Sequence, residues 1–288
     1  MTTDALDANP DVTSATVTVE VGGERVGLRY FAAGEAHGDP PVVLLHGIGL
    51  DAATVSWRHA LPALADDRRV FAFDFPGHGE SDSLSSYTHQ RYLETLDGFL
   101  GALDIDRAAL AGISMGGGVA LGYALDAPQR VERLVLVDSY GLGRDAPWRP
   151  GGSMLLNVPG FDGLLGAGLS NPMAVAASLG GIAVDPSPGF VADVQRAVGP
   201  AAARALGEWQ RDEFRADGLK TCYLDRLGEV EPPTLLVHGR DDPIFPVHWS
   251  ERATRRIPDA RFVAFEECGH WPPREYPEKF ERVVGRFL

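Results

Sequence analysis

The sequence predicts an α/β fold: a mostly parallel sheet with flanking helices, carrying a helical insertion after its sixth strand. Three observations predict it. First, "PPVVLLHG" (40–47), "RVFAFDFPGHG" (69–79), "ALAGIS" (109–114), "VERLVLVDS" (131–139) and "PTLLVHG" (233–239) are short continuous apolar runs that end in glycine-rich or polar loops. That is the pattern of strands buried on both faces. Second, stretches with helical spacing lie between these runs, as parallel strands joined by right-handed crossovers require. Third, the alternation stops after Ser139 and resumes near Pro233.

Each element follows in turn. The start, "MTTDALDANPDVTS", is acidic and polar and reads as a flexible tail over 1–14. It has no basic start followed by an apolar stretch, so it does not read as a secretion signal. "TVTVEVGGERVGLRYFAAG" alternates apolar and polar residues on both sides of Gly22-Gly23, which predicts a β-hairpin. "YTHQRYLETLDGFLGALD" (87–104) places Tyr92, Leu96, Phe99 and Leu103 on one helical face. "LAGISMGGGVAL" (110–121) reads as a strand over 108–113, a turn at Ser114 and a helix over 115–127. Residues 141–219 are rich in Gly, Pro and Ala, with amphipathic stretches and no convincing buried strand. Within them, "FVADVQRAVGPAAARALGEWQRDEF" reads as helix with a break at Gly199-Pro200. After "PTLLVHG" come a helix in "HWSERATRRI", a strand in "ARFVAFEE" and a final helix in "PEKFERVVGRFL". The expected organisation is therefore a tail (1–14), a core (15–140 and 220–288) and a helical cap (141–219).

Composition narrows the function. The 288 residues carry a formal net charge of −14, which disfavours nucleic acid and anionic membranes as partners. No apolar run reaches the roughly 18 residues that span a bilayer. Two cysteines, Cys222 and Cys268, form no metal pattern, and a cytoplasmic location is expected. Lysine occurs only at 220 and 279, while arginine supplies 24 positive charges. Codon bias of a GC-rich genome and a high-salt host both explain that surface, and neither bears on the chemistry. Gly116-Gly117-Gly118 is not a dinucleotide fingerprint, and neither a Walker pattern nor a dimetal histidine cluster occurs. No cofactor and no metal are expected.

The chemistry-bearing residues gather in loops after the strands, where ligands of open α/β sheets bind. In chain order they are His46-Gly47-Ile48-Gly49, "DFPGHGES" (74–81), Ser114, Asp138, Asp241-Asp242 and His270. Ser114 lies on a strand-to-helix turn whose strained backbone needs small neighbours two positions away, and Gly112 and Gly116 supply them. The combination of "HGIG", "DFPGHGES", "GISMGG", "GRDDPIFP" and "CGHW" resembles the α/β-hydrolase-fold serine hydrolases, whose chain order is Ser, Asp, His. The resemblance covers both parts of the sheet but not the insertion.

It implies roles. Ser114 is the nucleophile and His270 the base that takes its proton. The acid that holds the histidine has three candidates: Asp242, favoured by the family spacing to Pro246, its neighbour Asp241, and Asp138. The backbone N–H of Met115, at a helix start, is one oxyanion donor. The resemblance points to the N–H of Ile48 for the other. His46 is expected to brace the oxyanion loop beside the substrate, and Trp271 to line the pocket. His78 and Asp74 shape the neighbouring turn, and Cys268 packs. His89, His238 and His248 read as ordinary polar positions.

The apolar segments of 141–219 suggest an enclosed hydrophobic pocket. The resemblance implies a carboxylesterase acting through an acyl-enzyme on small, mainly apolar esters. The alternative is a carbon–carbon bond hydrolase of meta-cleavage ring-fission products, suggested by "SMGG", "CGHW" and "DSYGLG". That group usually carries Asn before the nucleophile, where this chain has Ile113, and its cap arginine has three candidates here: Arg204, Arg211 and Arg215. Lactonase, thioesterase or perhydrolase activity and a non-catalytic small-ligand receptor complete the alternatives. The partner in every case is a small molecule, and the sequence leaves oligomeric state open.

Overall fold

The computed structural model describes residues 6, 8–35, 38–66, 68–146, 161–215 and 217–288. The hairpin forms as expected. β1 (Val12–Val21) and β2 (Glu24–Ala33) pair antiparallel across Gly22 and Gly23. Both glycines have positive φ, 56° and 80°, the backbone that a two-residue hairpin turn demands. β1 begins at Val12, inside the stretch expected as tail, and Leu6 is buried in the core beside Val12. The tail is therefore shorter than its polarity suggested, because strand pairing with Ala32 and Ala33 offsets the polar composition of residues 12–14.

The remaining strands of the sheet before the insertion are β3 (Val42–Leu45), β4 (Val70–Phe73), β5 (Ala108–Ile113) and β6 (Val131–Val137). The insertion ends in a short hairpin, β7 (Phe214–Arg215) with β8 (Gly218–Leu219), before β9 (Thr234–Gly239) and β10 (Ala260–Phe265). The eight-stranded sheet has the order β1-β2-β4-β3-β5-β6-β9-β10. β2 pairs antiparallel with β4, and every later pair is parallel.

The continuous apolar runs are explained by burial on both faces. In β3, Val43 and Leu45 enter one core with Phe73, Leu110 and Leu136, while Val42 and Leu44 enter the other with Val70, Ala72 and Ala111. The helices of the core domain are α1 (Ala53–Ser56), α2 (Ala60–Leu64), α3 (His89–Ala102) and α4 (Met115–Asp126) before the insertion. Among the described residues four helices of the insertion follow: α5 (Phe161–Leu169), α6 (Pro172–Gly180), α7 (Pro188–Ala197) and α8 (Pro200–Glu213). After β9 come α9 (His248–Thr254), α10 (Pro272–Glu275) and α11 (Pro277–Gly285).

Pro172, Pro188 and Pro200 of the insertion are helix starts, not breaks within helices. Asn171 accepts the N–H groups of Met173 and Ala174, Ser187 accepts that of Phe190, and a proline follows each cap at the first helical position. The expected interruption at Gly199-Pro200 separates α7 from α8. The apolar stretch at 154–160 lies outside the described residues.

Candidate active site

From β3 the chain moves outward to β4, then returns to the other side of β3 to form β5. This reversal opens a crevice outside the carboxyl ends of β3 and β5. The loop after β3 carries His46, Gly47 and Ile48, and the turn after β5 carries Ser114.

Ser114 has φ 54° and ψ −122°, a conformation that costs a non-glycine residue on the order of 1–3 kcal/mol. Close packing enforces it. A Cβ at position 112 would lie 2.3 Å from the Gly116 carbonyl oxygen, and one at 116 would lie 2.4 Å from those of Leu45 and His46. The start of α4 is thereby seated directly on the end of β3. The Ser114 N–H donates to Val137 O at 2.9 Å, and its carbonyl accepts from Tyr140 N at 3.0 Å. The backbone is tied down while the side chain faces the crevice.

The loop after β3 is held from three sides. His46 donates from Nδ1 to Gly47 O at 2.6 Å and accepts at Nε2 from Phe75 N at 2.8 Å. His78 accepts from Gly49 N at 3.1 Å. Burial pushes His46 well below its ordinary range and His78 down to about 4, so both rings are neutral braces. His46 does not line the cavity, which corrects its expected place beside the substrate. Both of its ring nitrogens are already used inside the protein.

The third brace was not legible in the sequence. Asp51 accepts from Gly47 N at 2.6 Å, from Ala52 N at 2.8 Å and from Ser56 Oγ. Ser56 Oγ in turn accepts from Trp271 Nε1 at 3.0 Å. One buried chain thus connects the loop over Ser114 to the residue that follows His270. No motif contains Asp51 or Ser56, so nothing in the sequence announced them. Burial raises the Asp51 carboxyl, and its hydrogen bonds and nearby His270 oppose that rise.

These contacts leave two backbone donors open. Among the described residues neither Ile48 N nor Met115 N has a hydrogen-bond partner. Their loops are adjacent: a Cβ at Gly47 would lie 3.2 Å from Ser114 Cβ.

His270 follows β10 and is 2% exposed. Its Nδ1 bonds Asp242 Oδ2 at 2.8 Å, and its N–H donates to Ile182 O of the insertion at 2.9 Å. Asp242 is buried, yet the charge and hydrogen bonds of His270 and His238 outweigh desolvation and hold its carboxyl below the usual range. Asp241 is exposed. Asp138 is fully buried at the end of β6, close to Asp242. Among the described residues, Asp138, Asp242 and His270 are also the group whose donor atoms converge closely enough for a metal ion, but Nδ1 of His270 is already bonded to Asp242. Cys268 is buried and its thiol is pushed up by burial, which makes it unreactive.

Ser114 and His270 share a cavity of about 280 Å³. Its walls include Ile48, Leu50, Ile182, Leu206, Trp209 and Phe245, with Trp271 beside His270. Gln210 is the polar contribution of α8. None of the three candidate arginines lines it. Arg204 pairs with Glu208 and Ser85 O, Arg215 donates to Arg211 O, and Arg211 faces a separate groove beside α5. Among the described residues the cavity wall holds no arginine or lysine.

A strained serine at a strand-to-helix turn, a histidine paired with an acid, and this sheet topology define an α/β hydrolase. Residues 42–283 match the model of the alpha/beta hydrolase family, and the chain belongs to that family. It is similar to the 2-hydroxymuconate semialdehyde hydrolase of Pseudomonas sp. (strain CF600), with 33% identity over 86% of each chain. It is also similar to the crystal structure of a serine hydrolase involved in carbazole degradation, at a TM-score of 0.77 and 26% identity, covering 96% of this chain and 99% of that one. A thermophilic esterase from Thermogutta terrifontis shares the fold, at a TM-score of 0.78 and 23% identity, covering 96% and 98%. No helix among the described residues is long and apolar enough to cross a membrane.

Proposed function

We propose that this hydrolase is a carboxylesterase acting on small, mainly apolar esters through a Ser114–His270–Asp242 triad. The observation that carries the reading is the His270–Asp242 bond of 2.8 Å opening, with Ser114, into one apolar cavity. Asp242 accepts from Nδ1–H and so leaves Nε2 free to take the Ser114 proton. The Ser114 oxygen attacks the ester carbonyl, and the N–H groups of Ile48 and Met115 receive the developing oxyanion. His270 returns the proton to the leaving alkoxide, and water attacking by the same route frees the acid and Ser114. Residues 141–219 act as a cap that supplies the cavity wall through Ile182, Leu206 and Trp209.

A second reading, hydrolysis of a carbon–carbon bond in ring-fission products, is favoured by the relatives' names. Such substrates carry a carboxylate, whereas the described wall is formed mainly of apolar side chains, which suits an ester better. The test is hydrolysis of p-nitrophenyl acetate, butyrate and octanoate beside a ring-fission dienoate, with wild type and Ser114→Ala. We expect ester turnover that falls at least about 10⁴-fold in the variant. Turnover of the dienoate but not of the esters would replace the first reading by the second. Undiminished ester turnover in Ser114→Ala would end both.

A further inference from the structure

The loop that carries His270 is held by a carboxylate to which the triad gives no role. Glu275, on α10, is half-buried. Its Oε2 accepts from Gly269 N at 2.9 Å, and its Oε1 accepts from Trp271 N at 2.9 Å. The two bonds flank His270 on either side along the chain. Oε2 also accepts from Val184 N of the insertion at 2.7 Å. Pro272 and Pro273 open α10 and carry no N–H, so the side chain reaches back past them to the donors that precede the helix.

The insertion meets the same loop directly. His270 N donates to Ile182 O at 2.9 Å, and Ile182 is also part of the cavity wall. A Cβ at Gly269 would lie 2.5 Å from Ile182 O and 2.9 Å from Ala183 Cα, so only glycine lets the two segments touch. On the core side, a Cβ at Gly239 would lie 1.9 Å from Gly269 O, which seats the loop on the end of β9. The turn 182–184 and the His270 loop are therefore joined twice, by a direct bond and by the Glu275 bridge. A carboxylate suits that bridge, because its two oxygens accept several N–H groups at once and its charge strengthens each bond. A glutamine has one acceptor oxygen and turns an NH2 group toward the remaining donor.

We propose that Glu275 is a positioning residue: it clasps the His270 loop to the insertion, so that the imidazole and the cavity wall beside it keep one position relative to Ser114. The proposal rests on the assignment of His270 as the base made above. Glu275 does not line the cavity, and it acts through the backbone on both sides of His270. Transfer of the Ser114 proton depends steeply on geometry, and a misplacement of about 1 Å costs about 100-fold in rate. A mere strut of the fold would behave differently: its loss would lower Tm and leave the kcat of the folded enzyme unchanged. A mere anchor of the insertion would differ again, since its loss would raise KM alone.

The experiment measures kcat and KM separately in Glu275→Gln, Glu275→Ala and Gly269→Ala, beside wild type and Ser114→Ala. The substrate is whichever of p-nitrophenyl butyrate and the ring-fission dienoate the wild type turns over, and each variant is assayed well below its own Tm. We expect Glu275→Gln to lower kcat about 10–100-fold with KM within about threefold of wild type. Glu275→Ala leaves three N–H groups without their acceptor and should lower kcat further. Gly269→Ala forces the loop and the insertion apart with Glu275 intact, and should lower kcat by a factor similar to Glu275→Gln. Wild-type kcat in the folded Glu275 variants would overturn the proposal, whatever their Tm, and so would a rise in KM alone. In either case, turnover lost in Ser114→Ala leaves the triad reading standing. Full turnover in Ser114→Ala would end that reading and the clasp with it. Should neither Glu275 variant fold, Gly269→Ala decides: wild-type kcat there refutes the clasp.

Discussion

The carboxyl edge of the sheet and the helical insertion above it are built differently. At the sheet edge, the loops around Ser114 and His270 are buried, and their polar groups are bonded to one another: His46 to Phe75, His78 to Gly49, Asp51 to Gly47 and Ser56, and Ser56 to Trp271. The insertion instead presents apolar side chains to the cavity and exposes others outward, Leu164 at 70% and Met173 at 83%. Its polar anchors on the core include Asp193 and Glu213. Asp193 of α7 pairs with Arg274 at 2.7 Å and with Arg58 and Arg196. Glu213 at the end of α8 accepts from Tyr140 OH at 2.5 Å and from Thr221. The contrast separates two tasks. Proton transfer needs fixed distances, which saturated hydrogen bonding supplies. Selection of an apolar substrate, as proposed here, needs only shape and dryness, which a few bolts and a greasy wall supply.

The contrast can be broken at its strongest point first. Ser114→Ala removes the proposed attacking oxygen and should lower ester turnover by at least about 10⁴-fold while leaving the melting temperature unchanged within error. A large loss of stability instead would mean that the hydroxyl is structural.

Next is the bolt. Asp193→Ala leaves Arg274 buried, at 3% side-chain exposure, without its partner. Breaking a buried pair this way costs about 3–5 kcal/mol, which should lower Tm by several degrees and raise KM more than it lowers kcat. A variant with native Tm and native KM would show that Asp193 does not hold the insertion.

A third test concerns pH. Burial lowers His78 and His89 to about 4 and pushes His46 well below its ordinary range, whereas the unfolded chain titrates near 6.5. Between those values the unfolded state binds more protons, so stability is complete above about pH 6.5 and is lost as pH falls toward 4. Melting curves should show that decline, and His89→Gln should make it shallower. A Tm independent of pH from 7 to 4 would contradict neutral buried rings.

The smallest effect is expected where the two regions meet. Trp271→Phe keeps an aromatic wall but loses the bond to Ser56, which should cost a few-fold in kcat/KM, about 1 kcal/mol. An effect as large as that of Ser114→Ala would move Trp271 from the wall into the chemistry.

Much of the core was legible because its constraints are local. Gly112 and Gly116 reveal the strained serine turn, since the clash that excludes a Cβ lies within a few residues. The strands were legible because burial on two faces writes an unbroken apolar run. The insertion's helices were legible through Pro172, Pro188 and Pro200 only in part, because the same residue type that begins a helix also signals a break. His46 was misplaced for a related reason: a histidine beside a glycine-rich loop carries no mark of whether its ring faces a ligand or the protein.

The sequence by itself determined the strand–helix alternation, the turn that presents Ser114 and the order of serine, acid and histidine. Each of these follows from residue size and polarity along a short window. Only the tertiary structure decided that Asp242 bonds His270 while Asp241 faces solvent and Asp138 lies buried behind it. It alone decided that Asp51, Ser56 and Trp271 form one chain, and that Arg204, Arg211 and Arg215 stay out of the cavity. Those outcomes depend on which distant segments meet, and a carboxylate or guanidinium takes its role from the partner it finds there.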